Sequence, residues 1–245
     1  MNTLIHATTQ GSRLARAWSA VAGAAATDKD RPALYRTTYL EQHLTGVRLT
    51  ACDGYWSASA WVGDLVDPDD PTSGHHTAPK ATAPPLVAVA VVDQDLRILG
   101  LMRYVVGLTV KLDPVTHPDI PVTIHVTDEE PAADTLPDLD RDVVRVDIPG
   151  AEHVNGAVNE VDYPNISRLV ALTVDEAGAV DEVAVAAKVL RGVAGAVERA
   201  GGAALELRFA SSKKTAIRWQ AIELAACELS GLAMPLRPKV ESPAT

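Results

Sequence analysis

The sequence predicts an α+β fold, with helices on one face of antiparallel sheets and the helix-then-strands unit repeated. Three observations carry this. Residues 47–62 (VRLTACDGYWSASAWV) alternate apolar and polar with the period-two signature of a half-buried strand. A helix followed by strands recurs along the chain, which is neither the strict alternation of a parallel doubly wound fold nor an all-β pattern. Only 4% of the 245 residues are aromatic while 47% are hydrophobic, so Ala, Val and Leu must fill the core through regular packing.

Within 47–62, Val47, Leu49 and Ala51 share one face. After Asp53-Gly54 the parity flips, and Trp56, Ala58, Ala60 and Val62 share a face instead. A one-residue parity shift at Asp-Gly is what a bulge or kink produces, so the stretch is expected to be one long bent strand, with Asp53 holding the bend by accepting backbone amides.

The other elements follow in order. Residues 1–6 suit a short strand. Thr8, Thr9 or Ser12 then suits the cap of a helix carrying Leu14, Trp18, Val21 and Ala22, with Arg13 and Arg16 elsewhere on it and no acid through Ala25. A strand is expected over 34–40. Residues 63–85 are rich in Asp, Pro, Thr and His, lack periodicity, and read as an exposed loop. A strand over 86–91 leads to a helix over 92–106 with Leu96, Leu99, Met102 and Val106 at helical spacing, flanked by Arg97 and Arg103. Strands are expected over 108–112, 122–127, 143–148 and 169–174, with a turn at Tyr163-Pro164-Asn165. A helix over 181–200 ends at Gly201-Gly202, and three strands (204–209, 215–224, 228–234) close the fold.

Composition limits the function. A net charge of −10 argues against a nucleic-acid coat but not against a basic surface on an acidic protein. Cys52 and Cys227 lie far apart, outside any metal-ligand spacing, and read as two small thiols in a reducing compartment. No basic-then-apolar leader and no apolar run of about 18 residues is present, so a soluble, cytoplasmic protein without membrane contact is expected.

Catalytic signatures are absent. There is no nucleophile elbow, phosphate loop or dinucleotide fingerprint, and no catalytic residue, cofactor or metal is expected. Asp67, Asp69 and Asp70 with His75 and His76 form the one cluster with metal-ligand chemistry. They sit in a Pro-rich loop that nothing fixes, so a metal-dependent hydrolase is the weakest reading. The helix cations Arg13, Arg16, Arg97, Arg103, Lys188, Arg191 and Arg199 contrast with acids concentrated in loops. Either these are ordinary solvated faces, or the helices share a locally basic surface suited to phosphates.

Several stretches together resemble the DNA sliding clamp, the polymerase processivity ring. The helix over 12–24, then Arg31-Pro-Ala-Leu-Tyr-Arg and Val47-Arg-Leu-Thr-Ala-Cys-Asp, resemble the family's first helix, its proline entry to a strand and its L-x-A-T-D strand, with Cys52 replacing Thr. Tyr163-Pro164-Asn165-Ile166 resembles the segment joining clamp domains. The last helix, Leu205-Glu-Leu-Arg-Phe, Ala216-Ile-Arg-Trp and Gly231-Leu-Ala-Met-Pro-Leu-Arg are similar to the family's closing helix, strands and Met-Pro-Met-Arg-like tail.

The resemblance implies a non-enzymatic, clamp-like fold in a short, phage-type version: a first domain over 1–160 and a second over 161–245. Three helices are legible where two full domains would have four, so either one near 151–158 is degenerate or the second domain is reduced. It implies a homo-oligomeric ring, closed by edge-strand pairing, that encircles duplex DNA without reading sequence. The seven cations above would face the phosphates. Met234, Pro235, Leu236 and Arg237 would wall a pocket for peptides of the replicative polymerase and clamp loader. The competing reading is an α+β interaction module that does not touch DNA.

Overall fold

The structure, a computed structural model, describes residues 3–67, 77–79, 84–92, 121–127, 143–147, 154–159, 183–209, 216–222, 224 and 227–236. The expected helix over 92–106 beyond Val92, with Arg97 and Arg103, the strands over 108–112 and 169–174, the 163–165 turn, Asp69, Asp70, His75, His76 and Arg237 lie outside these residues.

Strand β1 (Thr3–Gln10) runs directly into helix α1 (Gly11–Ala22). A 3-10 turn (Ala33–Arg36) precedes β2 (Thr38–His43), β3 (Gly46–Cys52) and β4 (Ser57–Gly63). Then come β5 (Val87–Val92), β6 (Pro121–Thr127), β7 (Val143–Asp147) and β8 (Val154–Asn159). Helix α2 (Ala187–Arg199) and strands β9 (Ala204–Arg208), β10 (Ile217–Ile222) and β11 (Glu228–Ala233) complete the described chain. The strands join in one antiparallel sheet ordered β1-β6-β7-β8-β5-β2-β3-β4-β11-β10-β9. The α+β class and the helix-then-strands order match expectation.

Several local expectations are corrected. Residues 47–62 form two strands, not one bent strand: Val47 pairs with Val62, Leu49 with Ala60 and Cys52 with Ser57. The faces read from the alternation are right, but the parity flip marks a chain reversal. Asp53 Oδ1 accepts the amides of Tyr55 (2.8 Å) and Trp56 (3.0 Å), and Gly54 takes φ 88°, a value that suits a residue without Cβ. Asp53 is therefore the turn-holder that its position suggests.

The expected strand over 34–40 begins instead at Thr38, because Pro32 opens a 3-10 turn in which the Tyr35 amide reaches the Pro32 carbonyl at 3.0 Å. Helix α1 has no side-chain cap. Thr8 and Thr9 are spent within the sheet, Thr8 Oγ1 bonding Thr123 Oγ1 (3.0 Å) and Thr9 Oγ1 donating to the Gly63 carbonyl (2.9 Å), so β1 extends through Gln10. The helix expected from 181 starts at Ala187. Residues 183–186 lie outside any helix, with Ala186 extended (φ −61°, ψ 131°), and the Ala184 carbonyl accepts the amide of Leu236.

Both helices share one hydrophobic core with β1, β3, β4, β6, β10 and β11, centred on fully buried Trp18, Trp219, Leu14, Leu49 and Leu229. Burying each such side chain contributes roughly 1.5–3 kcal/mol. The seam between β4 and β11 joins segments from opposite ends of the sequence, pairing Trp61 with Glu228 and Ser59 with Ser230. Ser57 locks it from both sides. Its carbonyl accepts the buried Trp219 indole N–H (3.1 Å), and its hydroxyl accepts the Leu232 amide (3.1 Å). A Cβ on Gly231 would run into the Ser57 carbonyl, so only glycine lets the strands approach this closely. Among the described residues no helix is long and apolar enough to cross a membrane.

Candidate nucleic-acid interface and peptide groove

Helix α1 (GSRLARAWSAVA) carries two cations and no acid, because its apolar stripe leaves only Ser12, Arg13, Arg16, Ser19 and Ala22 partly exposed. Helix α2 packs beside it and carries Lys188, Arg191 and Arg199 against one acid, Glu198. The pair therefore holds five cations and one acid in a protein of net charge −10. Five of the seven expected cations are thus brought onto one two-helix layer.

These five do not have one job. Arg199 Nε donates to the Ser19 carbonyl in the last turn of α1 (2.9 Å), and its guanidinium occupies the space beside Gly23. Arg16 reaches the other way, its guanidinium beside Gly201 just past the end of α2. Each helix thus sets an arginine against the electronegative C-terminus of its neighbour, where cations are favoured. Lys188 and Arg191 project from the first turns of α2, exposed and without a hydrogen bond or ion pair among the described residues. Arg13 and Arg16 also lie close enough to draw down the Cys227 thiol, but burial dominates and pushes it up to about 12, so that thiol is inert.

The tail forms a second surface. After β11, the Met234 amide donates to the Tyr55 carbonyl in the β3–β4 turn (2.8 Å), and the Leu236 amide donates to the Ala184 carbonyl just before α2 (2.8 Å). These two bonds tie Met234-Pro235-Leu236 between the hairpin turn and the helix entry. Met234 (43%), Leu236 (51%) and Tyr55 (53%) remain exposed, with the Arg31 guanidinium 5.0 Å over the Tyr55 ring. Tyr55 was not anticipated as a site residue. Its signal is that it falls between the two inward-facing sets, an aromatic residue at the turn that the alternation leaves outside.

No group of three His, Cys, Asp or Glu side chains is gathered among the described residues, and Asp69, Asp70, His75 and His76 lie outside them. His6 and His125, paired across β1 and β6, bring their Nδ1 atoms within 3.1 Å, but two nitrogens fall short of the three or four protein ligands of a zinc site.

Solved structures match this arrangement closely in shape. A DNA polymerase III beta sliding clamp from Pseudomonas aeruginosa, bound to griselimycin, superposes with a TM-score of 0.63 at 14% identity, covering 97% of this chain and 67% of that one. The Caulobacter crescentus beta sliding clamp (0.56, 13%) and the Thermotoga maritima DNA polymerase III beta subunit (0.55, 14%) have the same coverage. The chain has the sliding-clamp fold. It spans about two thirds of the length of these clamps. No family model and no curated protein matches the sequence. The clamp fold accounts for the recurrence of helix and strands and for helices gathered on one side of a long sheet.

Proposed function

We propose that this protein is a DNA polymerase sliding clamp: a non-enzymatic, cytoplasmic processivity factor that encircles duplex DNA as a homo-oligomeric ring. The observation that carries the reading is the helix layer of a clamp fold, with an acid-free α1 beside an α2 that presents Lys188 and Arg191 unpaired among the described residues. Point charges against phosphates hold DNA without reading bases, which lets a ring slide. Arg13 adds to this surface, whereas Arg16 and Arg199 act first between the helices. Arg97 and Arg103 complete the set in our reading, as does a division into domains over 1–160 and 161–245.

Tyr55, Met234, Pro235 and Leu236, with Arg237 beyond, form the groove for an extended peptide of the polymerase or clamp loader. Exposed apolar anchors on a segment tied by its backbone amides suit that mode of docking. Strand β9 is an outermost strand of the described sheet, with Leu207 exposed on it and Phe209 exposed just past its end, and supplies an edge for a second copy.

Sedimentation of the purified chain tests ring and fold together, and primer extension by the cognate polymerase tests function. A ring-sized oligomer that raises processivity supports the proposal. A strict monomer at high concentration, with no effect on processivity at low or high salt, supports an interaction module instead.

A further inference from the structure

The sheet face turned away from the helices holds a cavity of about 210 Å³ across the β4–β11 seam. Register places its floor: Ser59 pairs with Ser230, and Ser230 with Gln220, in one row across β4, β11 and β10. Trp61, Arg48 and Glu228 stand on one side of that row and Arg218 on the other. Residues 77–79 roof the Trp61 side. Arg48 Nη2 donates to the Pro79 carbonyl (3.2 Å), and the Ala78 amide donates to Glu228 Oε1 (3.2 Å). Hydroxyls, an amide and charged groups line this space where apolar side chains would be cheaper to bury.

Three features of the lining point to what it could hold. Trp61 is 3% exposed, yet its indole N–H has no acceptor. Arg218 Nε is likewise buried and unpartnered. Arg218 also stands directly opposite Arg208 across β10 and β9, a like-charge pair that costs stability. Glu206 bonds Arg208 at 3.2 Å and reaches Arg218 only as a longer-range charge, with no ion pair to Arg218 among the described residues. Native proteins rarely leave such donors unmet without a use for them.

We propose that this cavity binds a small molecule bearing an oxyanion, a carboxylate or a phosphate. Arg218 holds the oxyanion, Gln220 and Ser230 complete its hydrogen bonds, and the Trp61 N–H takes a second acceptor farther along the ligand. The anionic end lies toward Arg218 because the opposite wall carries the Glu228 carboxylate, while the cation on that wall, Arg48, already has its ion pair with Glu41 at 3.8 Å. A volume of about 210 Å³ admits a metabolite-sized polar molecule and not a folded partner. The site is independent of the clamp reading.

The test is titration of the full chain with inorganic phosphate and, separately, with glutarate, against sodium chloride of equal ionic strength. Binding is followed by calorimetry and by the indole N–H resonance that Trp61→Phe removes. Saturable binding of either probe that moves this resonance, weakened at least about tenfold by Arg218→Met and partly kept by Arg218→Lys, is the expected result. Glutarate alone binding identifies a carboxylate site, and phosphate alone a phosphate site. Should Arg218→Met fail to fold, Gln220→Leu must weaken binding in its place. Neither probe binding, or equal binding by wild type and the Arg218 or Gln220 variant, overturns the proposal.

Discussion

Arg199 Nε donates to the Ser19 carbonyl at 2.9 Å, tying the end of α2 to the last turn of α1. Through this bond one of the cations expected to face DNA serves the joint between the two ends of the chain. Arg199→Met should destabilise the fold by about 1–2 kcal/mol, the worth of a charge-assisted bond at a partly exposed site, read as a lower urea midpoint with an unchanged slope. No change in midpoint would remove Arg199 from the joint.

Lys188 and Arg191 should behave in the opposite way. The double variant Lys188→Ala, Arg191→Ala touches no partner among the described residues and should leave stability within about 0.5 kcal/mol of wild type. If the clamp reading is correct, DNA retention should weaken, and the slope of log affinity against log salt should fall by about 2, close to one per lost phosphate contact. An unchanged slope would show that these two side chains do not meet phosphates.

The helix–sheet contact has a tight point at Gly192, where a Cβ would stand 2.8 Å from the Trp56 ring. Gly192→Val should cost about 1–3 kcal/mol by overpacking, and pairing it with Trp56→Leu should recover part of that loss. A double-mutant cycle with zero coupling would count against this packing.

Among the groups that shape the acid side of the stability curve, half-buried Asp64 and buried His43 act with opposite signs. Burial lifts the Asp64 carboxyl from 3.8 to about 6, and its Oδ1 has no partner. The folded state therefore binds more protons than the unfolded one between these values, and stability falls as pH rises through them. Burial and then Arg48 hold the His43 imidazole down, from 6.5 to about 4, so there the folded state binds fewer protons and stability rises over that window. Asp64→Asn should be more stable than wild type at pH 7, with the gain gone by about pH 4; the His43 limb and that of Glu41, whose carboxyl burial also lifts, remain in its curve. Denaturant midpoints across pH 4–8 measure this, and a gain that persists at pH 4 would point to a cause other than titration.

Met234 and Leu236 are held by their amides while their side chains stay half-exposed. Replacing both with Ala should leave the melting temperature nearly unchanged and weaken a polymerase-derived peptide by more than about 1 kcal/mol, as loss of groove anchors does. Tyr55→Ala should do the same, and indifference of the peptide to all three would move the groove elsewhere.

Sequence alone determined which side chains face inward. Alternation in 47–51 and 56–62, the Leu14–Trp18–Val21 stripe and the closing helix and strands all hold in the structure, because burial has a period that side-chain chemistry records. It also placed five of the seven cations on the two described helices and the Met-Pro-Leu segment beyond the last strand. Tertiary structure decided what those residues meet. A parity flip at Asp53-Gly54 is equally the mark of a bulge and of a reversal, and only the pairing of Cys52 with Ser57 separates them. Nothing in β4 or β11 names the other as neighbour, since period two specifies a face and not a partner. Arg199 and Arg191 are alike as exposed helix arginines, yet one caps the neighbouring helix and the other stays in solvent, a difference set by which helix end lies within reach.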